Sequence, residues 1–252
     1  MRIVIHLGLP KTGTTTLQAT VFPNYEGVDY LGKRHGPKSE SSDSYLAFLA
    51  SWQEFIHGVD CRDSVDSWVR SLVELGGDNI FLSEEDLMQW PSPRNSKAST
   101  WFTRPNEKID TPRSGSHPVN EFLSIIIERL PNTFDLQAIL TLRNQADYTG
   151  SLVAQVGSYP RFVDRTLDKE DPSLDFYGIV NDLEETLGAE NLLLLFYEDG
   201  LKTISEEVAK FLGAERGKVR QDDEAKLNVK REGHGLWRTE PRHSKHITQT
   251  SL

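Results

Sequence analysis

A chain of 252 residues can bury a substantial core, which excludes a peptide or a mini-protein. With 37% hydrophobic and 26% charged residues it reads as an ordinary globule, and no apolar run approaches the roughly 18 residues that a membrane-spanning helix needs. A net charge of −10 argues against sequence-independent binding to a nucleic-acid backbone, so any anion site has to be local.

The first strand-like run, 3–7, has no basic segment and apolar core before it, and Cys61 is the chain's single cysteine; both lead to the expectation of a cytoplasmic protein without disulfides. That run leads into Gly8-Leu9-Pro10-Lys11-Thr12-Gly13-Thr14-Thr15-Thr16 and a helical pattern over 14–22. Strand, glycine loop and helix start come in the order an anion cradle needs, because unpaired backbone N–H groups and the positive end of the helix dipole converge there. Against the nucleoside-triphosphate loop G-x-x-x-x-G-K-[ST], Gly8, Gly13 and Thr15 match, but Thr14 stands at the lysine position and the lysine is displaced to Lys11. Loss of that lysine argues against ATP or GTP. A lysine early in the loop lies instead beside the bridging oxygen of a shorter anhydride, where it can neutralise charge on a leaving group, and Thr14, Thr15 and Thr16 offer hydroxyls to one terminal group. The plain alternative is a glycine turn that only joins strand to helix.

Further along, a strand at 28–31 precedes helices at 44–57 and 65–75, and a strand at 79–82 runs into Ser83-Glu84-Glu85-Asp86. From about 90 to 118 a Pro/Ser/Arg-rich insert interrupts the rhythm; its Trp101, Arg104 and Arg113, with His117, are suited to contact an acceptor. A helix at 119–130 carries Phe122, Ile125 and Ile126 on one face. A strand at 136–142 then reaches Arg143, with helices at 147–156 and 176–187, a strand at 192–197, a helix at 204–212 and a basic tail from Lys226. The runs 79–82, 136–142 and 192–197 are apolar nearly throughout, as strands buried on both faces of a parallel sheet are. The expected fold is α/β: a single domain over 1–252, built as a three-layer sandwich with a central, mostly parallel sheet and a P-loop-like phosphate-binding loop.

Pro10-Lys11-Thr12-Gly13-Thr14-Thr15 resembles the 5′-phosphosulfate loop of the sulfotransferases that use 3′-phosphoadenosine 5′-phosphosulfate (PAPS), including the lysine before the second glycine. A second signature of that family is an arginine at a strand end with a serine eight residues on. Arg143 and Ser151 have that spacing. By the resemblance these two hold the 3′-phosphate; read without it, Arg143 is equally an ion-pair residue. Leu194-Leu195-Phe196-Tyr197 is similar to the family's late strand, whose tyrosine lies near the adenine. Lys230-Arg231-Glu232-Gly233-His234-Gly235 is similar to the basic loop that closes over the 3′-phosphate, with Glu232 where the cytosolic branch has glycine and Leu236 where it has Asp.

The resemblance implies sulfuryl transfer from PAPS to a hydroxyl or amine of a carbohydrate, glycolipid or other small acceptor, with adenosine 3′,5′-bisphosphate (PAP) released. Lys11 would be the electrophilic stabiliser, and Thr12, Gly13, Thr14, Thr15, Thr16, Arg143, Ser151, Tyr197, Lys230 and Arg231 would hold the nucleotide. The acceptor must lose a proton, and the base expected after the strand 79–82 is Glu85, with Glu84 second and His117 or His35 as rivals. In the other reading of this segment Ser83 caps a helix and both glutamates favour its dipole. A sulfuryl group carries less charge than a terminal phosphoryl and no metal-ligand spacing is present, so no metal is expected. Two other functions remain open: a magnesium-dependent nucleotide or metabolite kinase with an altered loop, and a non-catalytic nucleotide-binding module.

Overall fold

The computed structural model describes residues 1–9, 12–32, 42–88, 117–148, 151 and 175–217. In chain order these give β1 (Arg2–His6), α1 (Thr14–Thr20), β2 (Tyr25–Glu26), β3 (Asp29–Gly32), α2 (Asp43–Ile56), α3 (Arg62–Leu75) and β4 (Asn79–Ser83). There follow α4 (Pro118–Arg129), β5 (Asp135–Leu142), α5 (Phe176–Leu187), β6 (Leu192–Phe196), α6 (Leu201–Leu212) and β7 (Glu215–Arg216). Five strands form one parallel sheet in the order β3-β4-β1-β5-β6, with Ile3 beside Ile80 on one side and Leu136 on the other.

The pleat divides the core in two. Ile3, Ile5, Leu7, Ile80, Leu82, Ala138 and Leu140 face one way and pack under α2, α3, α4 and α5, where Phe48 meets Trp68 and Trp52 meets Phe122 edge to face with ring centroids 5.0 and 5.1 Å apart. Val4, Phe81 and Ile139 face the other way, against Leu17 of α1, Val21 just past its end, and Ile204 and Val208 of α6. Sheet and two helical layers make the expected three-layer α/β sandwich. Local signals start the helices: Ser42 accepts the Tyr45 amide proton at 3.2 Å to begin α2, and Asp175 accepts that of Gly178 at 2.9 Å to begin α5.

The elements fall close to the expected bounds, with differences that have local causes. The helix α1 stops at Thr20, because Pro23 directs the next turn into a short 3-10 helix, Phe22–Asn24. Helix α3 begins three residues before the apolar pattern does, where the Asp60 carboxylate accepts the Arg62 amide proton at 3.1 Å. Strand β6, expected to be buried on both faces, lies at the sheet's edge with Phe196 half exposed, and Tyr197 opens a 3-10 turn instead of ending the strand. The antiparallel pair of β2 and β7 was not anticipated, since two residues are too short to show a period. Of the helix expected at 147–156, residues 147, 148 and 151 are helical and the others lie outside the described residues, as do 90–116 of the insert and the basic tail. Among the described residues no helix is long and apolar enough to cross a membrane.

Phe81 is fully buried in β4 and touches the rings of Phe22, Tyr25 and Tyr30. Phe81→Ala is expected to cost about 3–5 kcal/mol, read as a lower urea midpoint with an unchanged slope.

Candidate functional site

The strand order has one consequence for every candidate residue. The neighbours of β1 are β4 on one side and β5 on the other, so the chain reverses its direction of travel across the sheet at β1, and the crevice of such a switch point opens at the strands' carboxyl ends. Gly8 and Leu9 leave β1 there, Glu84 and Glu85 leave β4, Arg143 leaves β5 and Tyr197 leaves β6.

The glycine loop is built by constraints on its own backbone. Gly8 has φ +49°, and a Cβ there would lie 2.8 Å from Thr14 Cγ2 and 3.2 Å from His6 Cε1. Gly13 has φ +75° as the residue capping α1, and a Cβ there would lie 2.5 Å from Leu201 Cδ2 of α6. Both positions therefore favour glycine on conformation, and a Cβ would also displace the Thr14 or Leu201 side chain. Thr12 is buried and its hydroxyl donates to the Leu9 carbonyl at 2.6 Å, which ties the two described ends of the loop together and occupies its proton internally. Lys11 lies outside the described residues.

The carboxylate of Glu85 stands against this loop. Thr14, itself buried, donates its hydroxyl proton to Glu85 Oε2, and Thr15 Oγ1 lies 3.4 Å from Glu85 Oε1. Glu84, just past β4, is 1% exposed; its carboxylate accepts from the Tyr45 hydroxyl of α2, and its amide donates to the His6 carbonyl at 3.1 Å. Glu85 opens a 3-10 helix, Glu85–Met88, immediately after Glu84, and the two carboxylates meet different partners, Tyr45 for Glu84 and the loop threonines for Glu85. That 3-10 helix does follow Ser83. The Ser83 hydroxyl lies 3.0 Å from Gln18 Nε2 and 2.9 Å from His6 Nδ1.

At the other side of the crevice Arg143 stacks over the Tyr197 ring, 4.8 Å from its centroid, and the Asn144 amide donates to Glu198 Oε1 at 2.7 Å. Asn144 also accepts the Ala146 amide proton at 3.1 Å, starting the helical residues 145–148. Ser151 is helical and half-buried. Of the rival bases, His117 is buried at the start of α4, where its Nδ1 accepts the Val119 amide proton at 3.3 Å, and His35 lies outside the described residues. Lys230 and Arg231 also lie outside them. Among the described residues no group of three or more His, Cys, Asp or Glu side chains is gathered as metal ligands would be.

Sequence reasoning missed His6. It is fully buried under Gly8, with Nδ1 2.9 Å from Ser83 Oγ and Nε2 3.2 Å from Thr141 Oγ1, so one ring links the three central strands at the floor of the loop. Gln18 donates to Ser83, whose hydroxyl can in turn donate to Nδ1, leaving Nε2–H to donate to Thr141. The available signal was a polar side chain closing an apolar strand immediately before a glycine loop.

Burial pushes the His6 imidazole from 6.5 down to about 3 and that of His117 to about 4, the latter against a hydrogen bond with the Met88 backbone. Both rings are neutral when folded. Above about 6.5 neither the folded nor the unfolded chain holds these protons; below it the unfolded chain takes them up and the folded one refuses, so stability falls as pH falls toward those folded values. Each ring should remove about 2 kcal/mol between pH 7 and pH 5, measured by urea unfolding, and His6→Gln should flatten its share of the slope.

No family model matches the sequence, and no curated protein matches it. Among solved structures, the chain is similar to a sulfotransferase from Alicyclobacillus acidocaldarius, at 10% sequence identity and a TM-score of 0.46, over 89% of this chain and 88% of that one.

Proposed function

We propose that the chain is a sulfotransferase that moves the sulfuryl group of PAPS to a hydroxyl or amine of a carbohydrate, glycolipid or other small acceptor. The observation that supports this best is the contact of Glu85 with Thr14 and Thr15: a carboxylate able to act as a base meets the hydroxyls of an anion-cradling loop at the switch point of a parallel sheet. In this reading Gly13 to Thr16 and Lys11 hold the 5′-phosphosulfate. Arg143, Ser151 and Tyr197 take the 3′-phosphate and adenosine, and Lys230 and Arg231 close over the 3′-phosphate. The acceptor oxygen or nitrogen attacks sulfur in line, Glu85 takes its proton, the bond from sulfur to the bridging oxygen breaks, and Lys11 neutralises the charge left on PAP.

The same contact favours a second reading. In nucleoside-triphosphate sites the loop hydroxyl beside such a carboxylate holds magnesium. Thr15 and Glu85 would fit that role in a kinase, although the lysine of such a loop is replaced by Thr14.

Calorimetric titration separates the two. PAP is expected to bind more tightly than ATP with magnesium; the reverse order would favour the kinase. Arg143→Ala should weaken PAP about 10- to 100-fold by removing charge-assisted hydrogen bonds. In an acceptor screen with radiolabelled PAPS, Lys11→Ala should lower turnover about 100- to 1,000-fold. Normal PAP binding without transfer to any acceptor would leave a binding module.

A further inference from the structure

A base needs only to reach the acceptor, yet Glu85 also engages the hydroxyls of the loop. Thr14 gives its single proton to Glu85 Oε2, and Thr15 Oγ1 stands 3.4 Å from Oε1. A ligand oxygen that takes either proton must draw it from the carboxylate. One that shares the space lies within roughly 5 Å of it, since both acceptors sit at hydrogen-bond distance from the same hydroxyl. Either way, negative charge on the ligand's terminal group is set against the charge of Glu85.

Among the described residues the cation of this crevice is Arg143, which lies on its other side over Tyr197. Helix α1 brings Thr14, Thr15 and Thr16 to this side, none of them ionised. The end of β4 brings Glu84, whose carboxylate turns away to Tyr45, and β1 brings His6, which is neutral. Glu85 forms no ion pair among the described residues. The cation of the loop, Lys11, acts on sulfuryl and phosphoryl groups alike.

A terminal sulfuryl group carries one negative charge. A terminal phosphoryl group of nearly the same shape carries two once its second proton leaves, near pH 6. We infer that Glu85 is a specificity-determining residue: its carboxylate at the threonines of the loop selects a donor whose terminal group bears one negative charge over an isosteric donor whose terminal group bears two. This rests on the reading of the loop as the PAPS site. One extra charge at about 5 Å is worth roughly fourfold in affinity in bulk water and more than a hundredfold at the effective dielectric of a protein surface, so a half-buried carboxylate should contribute at least about tenfold.

The test is equilibrium binding without acceptor and with a metal chelator, to wild type and Glu85→Gln, of three ligands: PAP, PAPS and 3′-phosphoadenosine 5′-diphosphate. Wild type is expected to favour PAPS over the diphosphate by about tenfold or more at pH 8. The preference should narrow toward pH 5.5, where the terminal phosphoryl group regains a proton. That arm needs no variant. Glu85→Gln should bring the ratio at pH 8 to within about threefold, chiefly by tightening the diphosphate. Normal binding of PAP to wild type with a ratio that Glu85→Gln leaves unchanged would overturn this inference alone. No binding of PAP to wild type would overturn the donor-site reading and this inference with it. A diphosphate that binds wild type more tightly than PAPS once magnesium replaces the chelator, and loses that gain in Glu85→Gln, would make the carboxylate a metal holder and also overturn it.

Discussion

The structure depends on β1 being hydrogen-bonded on both edges, to β4 and to β5, while buried on both faces. A strand in that position has nowhere along its length to place a polar group except its ends. Its amino end is tied by the Arg2 amide to the Asp78 carbonyl. At its carboxyl end polar side chains of the three central strands meet, and the reversal of strand order there keeps the following segments apart. The glycine loop, Glu85 and Arg143 share a neighbourhood because of this constraint.

The floor of that neighbourhood is polar but closed to water. His6, Ser83, Thr141 and Gln18 are all buried, and each engages another of the set. Pairing matters in such a row, because an unpaired buried donor or acceptor costs about 1–3 kcal/mol; Gln18 Oε1 is the member atom without a partner among the described residues. Pairing also fixes geometry. The His6 ring supports Gly8 from below, its backbone carbonyl receives the Glu84 amide, and its side chain meets Ser83, so the exit of β4 and the exit of β1 are held by the same residue. The cost of this arrangement is a ring that must stay neutral, which makes the fold sensitive to acid at the base of its most polar region.

Charge at the crevice is arranged on two sides. On one, the carboxylate of Glu85 is satisfied by hydroxyls. On the other, the guanidinium of Arg143 lies over the face of Tyr197. The bond from the Asn144 amide to Glu198 holds the exits of β5 and β6 together at that side.

Much of the architecture was legible in the order of residues, because burial on both faces of a parallel strand demands an unbroken apolar run and glycine is forced where φ is positive. The five strands of the main sheet, the position of the glycine loop and most of the helices follow from those local requirements. The eight-residue interval from Arg143 to Ser151 was singled out only by the family resemblance. Other features depend on partners far away in sequence. That Glu85 meets Thr14 while Glu84 meets Tyr45 of α2 is decided by the 3-10 turn that starts at Glu85 and by where those partners stand. That His6 is a structural hub is decided by Ser83 and Thr141, 77 and 135 residues away. That β6 is an edge strand, and that β2 finds β7, is decided by which segments the sheet leaves for them. The sequence alone determined which segments could be buried, since each residue carries its own hydrophobicity and backbone freedom; only the tertiary structure decided which polar groups meet, since a hydrogen bond needs both its partners in place.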